Sequence, residues 1–256
     1  MLSRAEQWPH RREDWRMLLD LSSGVVALNG DDVIGTTLRT DYGPDVSAVN
    51  MIIVAEPARG RGVGRRLMQA VMEEDDDREY RLVATREGLP LYRKLGFEPS
   101  GEITQCQGIL QSLGQPGTHI AAAGCADIDD VIALDRRYFA ADRIRLLDWL
   151  VRHGNLALTR SADGGVTAYA AARRFGHGHV IGPILAPDQD QAKDLIRYFA
   201  QTLAGSFVRI DTDNALGLAS WLETIGLVRA GGGITMRKNA KTEPLAAFGL
   251  CSQALG

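Results

Sequence analysis

Apolar residues follow alternating helical and strand patterns through the first hundred positions. Trp15, Leu18 and Leu19 recur at helical spacing and predict a helix over residues 11–21, and a second apolar helix face spans residues 67–72. Asn29-Gly30 between two short apolar runs predicts a tight β-hairpin. Further strands are predicted at 48–54 and 80–85, and a short helix over 89–95, which Gly96 ends.

The second half of the chain repeats this order of elements. Helices are predicted over 128–139, 143–153, 189–204 and 215–225, and strands near 156 and over 166–172, 179–185, 206–211 and 234–237. Between the halves, residues 111–118 contain Gly114, Pro116 and Gly117, which favour a loop. The pattern therefore predicts two α/β domains of similar plan, residues 1–112 and 118–256.

Composition limits the classes of function. The chain has 256 residues, with 29 Lys and Arg against 32 Asp and Glu and a formal net charge of −3, which disfavours nucleic acid as a partner. Three widely spaced cysteines form no disulfide or zinc pattern and suit a reducing cytoplasm. No apolar run approaches the roughly 20 residues that span a bilayer, so no membrane segment is predicted. The acidic run at 73–77 is read as a solvated helix end, and no metal is expected.

The segment between the strand at 48–54 and the next helix carries the most specific chemistry. Glycines at 60, 62 and 64 allow close approach to the backbone, and helix N-terminal N–H groups bind anions. Four arginines, Arg59, Arg61, Arg65 and Arg66, add positive charge. The spacing fits neither the Walker loop, which needs Lys followed by Ser or Thr, nor the G-x-G-x-x-G dinucleotide loop.

The spacing of Arg59, Gly62 and Gly64, R-x-x-G-x-G, resembles the pyrophosphate-binding motif of the GNAT family of N-acyltransferases. The segment from Tyr92 to Phe97 is similar to that family's Y-x-x-x-G-F motif. The resemblance implies a fold of the α/β (α+β) class, in which each domain has a central mixed, mostly antiparallel sheet flanked by helices. It also implies an opening strand that has no counterpart before Trp8 in this sequence.

The second half is similar to the C-terminal domain of tandem GNAT proteins. The resemblance lies in Ala133-Leu134-Asp135, Asp142-Arg143, Ile181-Gly182-Pro183 and the final Ala254-Leu255-Gly256. Residues 184–192 contain no arginine and no glycine, so the phosphate loop of the first half has no equivalent there. We therefore expect one coenzyme site, in residues 1–112, and a degenerate loop in 118–256.

The family resemblance implies roles for individual residues. The strand residues Ile52, Ile53 and Val54 would present their backbone to the pantetheine arm of acetyl-CoA, and the loop would hold the pyrophosphate through Arg59, Gly60, Arg61, Gly62, Val63, Gly64 and Arg65. Tyr92 would protonate the leaving thiolate. The general base stays open between Glu56, Asp41, Asp45 and ordered water.

The acceptor side is less defined by the sequence. Arg143, Asp211 and Asn214 are candidate acceptor contacts, and each has a structural alternative, as an ion pair or as a helix cap. We expect a cytoplasmic N-acetyltransferase that acts on a small-molecule amine, with a homodimer left open. A non-catalytic acyl-CoA-binding regulatory module and a protein N-acetyltransferase are the alternatives.

Overall fold

A computed structural model describes residues 2–72, 77–117 and 119–256. In these residues eight α-helices alternate with eleven β-strands. The helices are α1 Leu2–Ala5, α2 Arg12–Leu21, α3 Val63–Met72, α4 Leu89–Lys94, α5 Ile128–Phe139, α6 Ile144–His153, α7 Gln189–Leu203 and α8 Ala219–Thr224. The strands are β1 Ser23–Asn29, β2 Asp32–Tyr42, β3 Val46–Val54, β4 Glu79–Ala84, β5 Glu98–Ile109, β6 Ala121–Ala123, β7 Asn155–Arg160, β8 Val166–Phe175, β9 Gly178–Leu185, β10 Phe207–Asp213 and β11 Val228–Lys238.

Most predicted elements are confirmed, with ends that differ by a few residues. The helix predicted over 215–225 is wrong in its first turn, because Gly217 takes a φ of 66° and separates a short 3-10 helix, residues 214–216, from α8. Strand β5 was not predicted, because its many polar residues and its glycines do not show the apolar pattern of a strand. In the structure β5 is paired on both edges. Of the predicted solvated helix end at 73–77, residues 73–76 lie outside the described residues.

All eleven strands form one sheet, in the order β1-β2-β3-β4-β11-β5-β10-β9-β8-β7-β6. Pairing is antiparallel except between β3 and β4 and between β9 and β10, so the predicted mixed, mostly antiparallel architecture is confirmed. The structure adds an exchange of strands. Strand β11 of the second half lies between β4 and β5 of the first half, and β5 pairs with β10. The two predicted sheets therefore join into one.

Helices cover both faces of the sheet. On the front face, α2, α5, α6 and the C-terminal segment (residues 244–256) pack around one apolar cluster that includes Met17, Leu134 and Leu250. On the back face, α3 and α4 cover the first half, and α7 and α8 cover the second. The burial of these apolar helix faces stabilises the sheet on each side.

Candidate functional site

The first half contains a gap between two neighbouring parallel strands. Strands β3 and β4 pair only from Val46 and Glu79 to Ala48 and Arg81. Within the described residues, the edge of β3 from Val49 to Val54 forms no ladder with β4. The two strands therefore enclose a slot, which we call the β3/β4 slot, whose β3 wall contains unpaired backbone groups.

A β-bulge lies in the wall of this slot. Thr36 pairs with Ile53 whereas Leu38 pairs with Asn50, so β3 contains one extra residue between these pairs. Met51 has a φ of 51°, in the left-handed region that side chains rarely adopt. The carbonyl of Met51 accepts a hydrogen bond from Thr36 Oγ1 at 2.8 Å. A bulge turns backbone groups out of the ladder, and such groups can bind a ligand.

The glycine loop (residues 59–65) lies at the end of β3. Gly60 and Gly62 have φ angles of 72° and 77°, and a Cβ added at either would meet no atom within 4 Å. Gly62 directly precedes α3, so no side chain caps the helix from that position. The two glycines therefore leave open space beside the start of α3, where a phosphate would bind the first N–H groups of the helix.

Arginine side chains surround this helix end. Arg59 is half exposed, its Nε donates to the Val54 carbonyl at 3.0 Å, and its Nη2 forms an ion pair with Glu6. Arg61 and Arg65 are exposed and form no ion pair with any residue that the structure describes. Glu6 could not be singled out from the sequence, because it lies 53 positions from Arg59.

Tyr92 lies on α4, which packs against the start of α3. A Cβ on Gly64 would come within 3.2 Å of Leu91 Cδ2, so α4 and the glycine loop are neighbours. The Tyr92 ring packs edge to face on Phe97 and is 6% exposed. Burial raises the pKa of Tyr92 to about 12, so the hydroxyl stays protonated over the physiological pH range.

The predicted general-base candidates lie in different environments. Asp41 contacts Arg39 at 3.0 Å and Arg78 at 3.5 Å, and it accepts a hydrogen bond from Ser47. Glu56 is exposed in a short 3-10 helix after β3. In the described ranges, no group of three or more His, Cys, Asp or Glu side chains could hold a metal ion.

The second half contains the same slot, and the chain itself fills it. Strands β9 and β10 pair only at two positions, and the register between β8 and β9 shifts between Ala170 and Ala172. The C-terminal segment enters this β9/β10 slot: Ile184 N donates to the Gly249 carbonyl at 2.9 Å, and Leu250 N donates to the Asp211 carbonyl at 2.9 Å. A Cβ on Gly182 would lie 1.9 Å from the Leu250 carbonyl oxygen. The glycine therefore allows the segment to enter.

The helix after the β9/β10 slot also differs from α3. Asp188 caps α7 by accepting a hydrogen bond from Gln191 N at 2.9 Å. This hydrogen bond lowers the pKa of the Asp188 carboxyl. The start of α7 therefore has a negatively charged residue, whereas α3 has a glycine at its start. A carboxylate at this position repels a phosphate, so the contacts favour an N-terminal coenzyme site over a second one.

The three predicted acceptor contacts are not brought together. Arg143 is 1% exposed, and its guanidinium bonds to Asp135 at 2.6 and 3.0 Å and to the Gly256 carbonyl at 3.1 Å. Asp211 is fully buried and binds Arg209. These contacts favour the structural alternative for both residues. Asn214 is exposed and accepts a hydrogen bond from Thr104 Oγ1 at 2.5 Å.

Two cavities flank the centre of the sheet. One, of about 500 Å³, lies on the back face beyond the end of β4 and is lined by residues that include Thr85, Glu102 and Gly232. The other, of about 360 Å³, lies on the front face between the halves, and we call it the front cavity. Its lining includes Tyr42, Ala48, Arg81, Phe139, Asp213 and Leu255. Because pairing of β3 with β4 ends at Ala48 and Arg81, the front cavity borders the β3/β4 slot.

Comparisons with known proteins agree on one family. Two family models, each described as an acetyltransferase (GNAT) domain, match residues 20–99 and 131–247. The uncharacterized N-acetyltransferase YitH of Bacillus subtilis is 29% identical over 170 residues, 65% of this chain and 60% of that protein. Holothin acyltransferase of a Pseudoalteromonas species is 26% identical over 227 residues, 87% of this chain and 77% of that protein.

Solved structures share the fold. A putative acetyltransferase from Pyrococcus horikoshii superposes with a TM-score of 0.81 at 19% identity, over 98% of this chain and 88% of that chain. A tandem GNAT protein from the clavulanic acid biosynthesis pathway gives a TM-score of 0.54 at 12% identity, over 85% and 83%. Among the described residues no helix has both the length and the apolar character needed to cross a membrane.

Proposed function

The chain is an acyltransferase of the GNAT family with two such domains in tandem, and from this premise we propose that its first half acetylates a small-molecule amine with acetyl-CoA. GNAT domains in general use acetyl-CoA. We assign the working site to residues 1–112, and we assign no coenzyme to residues 118–256, where the C-terminal segment fills the slot.

One observation carries this proposal: no described residue fills the β3/β4 slot, and β3 leads through one short 3-10 helix to the glycine loop. The bulge at Met51 and the strand residues Ile52 to Val54 form one wall of the slot, and the N-terminus of α3 lies at its end. A long, flexible thioester with a pyrophosphate at its far end matches this order of groups. Backbone amides and Arg59, Arg61 and Arg65 would hold the phosphates.

We assign the chemistry to backbone groups of the slot and to Tyr92. An uncharged amine attacks the thioester carbonyl, a carbon–nitrogen bond forms, and the carbon–sulfur bond breaks. A backbone N–H of the bulge would stabilise the negative charge that develops on the carbonyl oxygen. Tyr92 would donate its proton to the departing thiolate, and the proton lost by the amine would leave through water or a nearby carboxylate.

The front cavity favours a small-molecule acceptor. Its volume of about 360 Å³ lies within the range of small-molecule sites, and residues of both halves line it. A protein substrate would need an open groove, whereas α5 and the C-terminal segment cover this face.

Calorimetric titration with acetyl-CoA tests the coenzyme assignment, with nicotinamide adenine dinucleotide as a control for general phosphate affinity. We expect micromolar binding of acetyl-CoA and no comparable binding of the dinucleotide. Release of free thiol in the presence of amines then measures transfer. Binding without thiol release from any amine would support the regulatory alternative, and absence of binding would overturn the assignment of the slot.

A further inference from the structure

The floor of the front cavity crosses five strands. Ala48 of β3 lies at one end, where it pairs with Arg81 of β4 and the β3/β4 slot begins. Val83 of β4 pairs with Thr235 of β11, and Thr235 pairs with Gly101 of β5. Asp213, the last residue of β10, lies at the other end. The floor therefore runs from the slot towards the second half.

The two ends of the front cavity differ in chemistry. Near the slot the lining combines Tyr42, Phe139 and Leu255 with Arg81, and Glu79 neutralises the charge of this arginine. At the far end it is polar, where Ser100 Oγ donates to Thr235 Oγ1 at 3.2 Å and the Asp213 carboxylate lies nearby. An occupant with an apolar body and a polar end would match this order.

Gly101 lies between the polar groups of the far end. A Cβ at this position would collide with Thr235 Oγ1, at 2.9 Å, and would lie 4.0 Å from Asp213 Oδ2. All three residues line the front cavity, so a ligand group with more than one donor hydrogen at this end would bind both oxygens. The sequence did not indicate this arrangement, because β5, β10 and β11 come together only through the exchange of strands.

The charges of the lining favour a cation at the far end. Arg81 and Arg237 both bind Glu79, and their remaining bonds run to Phe139 and Thr242. Asp213 Oδ1 accepts a hydrogen bond from Ala215 N at 2.8 Å, and no cationic side chain in the described residues forms a salt bridge with this carboxylate. The far end thus presents a carboxylate whose charge a ligand could neutralise.

The strand spacing gives the length of the ligand. Neighbouring strands lie about 4.8 Å apart, so Gly101 on β5 lies about 10 Å from β4, with β11 between them. The amine that reacts must reach the β3/β4 slot on the other side of β4. The two polar groups of the acceptor are therefore separated by about 10 Å or slightly more.

We propose that the acceptor is an elongated amine with an apolar body and a second, cationic group, and that Asp213 and Thr235 recognise this second group above Gly101. The inference rests on the proposed acetyl transfer in the first half. It assigns Asp213 a role in the choice of substrate, since the residue lies far from the reacting atoms and binds the opposite end of the acceptor.

A series of α,ω-diamines, from butanediamine to decanediamine, tests this inference against monoamines of equal length. Thiol release with saturating acetyl-CoA gives kcat and KM for each. We expect octane- and nonanediamine to exceed octyl- and nonylamine by about 10-fold or more in kcat/KM, because a charge-assisted hydrogen bond forms only with the diamines. Butanediamine is too short to span both sites and should show no such advantage.

Asp213→Asn keeps the cap on Ala215 N and removes the charge. We expect this variant to raise KM for the long diamines about 10-fold or more, with kcat and the KM for acetyl-CoA nearly unchanged. Glu243→Gln is the matched control, since Glu243 is exposed and lines the same cavity away from Gly101. Gly101→Val provides a second variant, which fills the far end of the cavity and should block the long diamines while short monoamines are still accepted.

Equal kcat/KM values for diamines and monoamines, or an Asp213→Asn variant that treats long diamines like the parent protein, would overturn the inference. So would turnover of monoamines alone in a protein that binds acetyl-CoA, or a lack of turnover of every diamine in that protein. Failure of acetyl-CoA to bind would instead refute the proposed function. Thermal unfolding of each variant shows that a loss of activity does not reflect loss of the fold.

Discussion

The two halves of the molecule contain the same slot in two different states. In each half a strand with an extra residue leaves its parallel neighbour after two or three pairs. The β3/β4 slot stays unfilled by the described chain, whereas the C-terminal segment fills the β9/β10 slot through Gly249 and Leu250. The backbone groups of such a slot require partners, and a peptide segment supplies them as well as a ligand does.

The helices beside the two slots, α3 and α7, also differ at the residue that precedes each helix. Gly62 precedes α3, whereas the Asp188 carboxylate caps α7. Tyr92 lies four residues before Gly96, and Leu222 lies at the equivalent position before Gly226. In both places the residue after the glycine donates its N–H to the carbonyl of Tyr92 or Leu222 at 3.0 Å. The second half therefore keeps the scaffold of the first but lacks the glycine and the tyrosine to which we assign phosphate binding and proton donation.

Gly62→Glu should have the largest effect on this difference, since it places a carboxylate at the start of α3 and strains a φ of 77°. We expect acetyl-CoA binding to weaken by about 100-fold or more in a calorimetric titration. Asp188→Asn, the reverse change of charge at the start of α7, should leave the affinity unchanged. Unchanged acetyl-CoA affinity in Gly62→Glu would remove the glycine loop from the site.

Gly182→Ala tests the filled slot, because the new methyl group would collide with the Leu250 carbonyl oxygen. We expect the free energy of unfolding, measured with urea, to fall by about 2 to 3 kcal/mol. Gly164→Ala is the control, at a φ of 91° with open space around it, and should lose only about 1 kcal/mol. An equal loss in both variants would show that the C-terminal segment does not occupy the slot tightly.

Tyr92→Phe tests the residue that the second half replaces by leucine. If Tyr92 donates the proton, kcat should fall by about 10- to 100-fold while the dissociation constant of acetyl-CoA stays nearly constant. Tyr80→Phe removes a hydroxyl from the same apolar cluster and serves as the control for packing. A kcat that falls equally in both variants would indicate a structural role for Tyr92.

Glu6→Gln should have the smallest effect. The ion pair of Glu6 with Arg59 is partly exposed, and the pyrophosphate would compete with Glu6 for the same guanidinium. Exposed pairs contribute less than about 1 kcal/mol, so we expect acetyl-CoA affinity to rise by a factor of about 2 to 5 at low salt. At high salt the gain should disappear, and weaker binding in the variant would contradict competition for Arg59.

Several features of the fold and the candidate site follow from the sequence alone. The α3 and α5 helices, the hairpin at Asn29-Gly30 and the glycine loop depend on local rules of periodicity, turn geometry and helix ends. The similarity of the two halves could also be predicted, from the order of their helices and strands. These features could be predicted because neighbouring residues fix them.

Other features were decided by contacts between distant residues. The exchange of β5 and β11 depends on which strand edges meet across more than a hundred positions, and a strand pattern does not specify its partner. The burial of Arg143 against Asp135 and Gly256 likewise requires the C-terminal segment to fold back. The sequence by itself thus determined the local elements and the motif that would bind a phosphate. Only the tertiary structure decided which slot the described residues leave open. The reason is that the side chains near a strand do not indicate which distant backbone groups will pair with it.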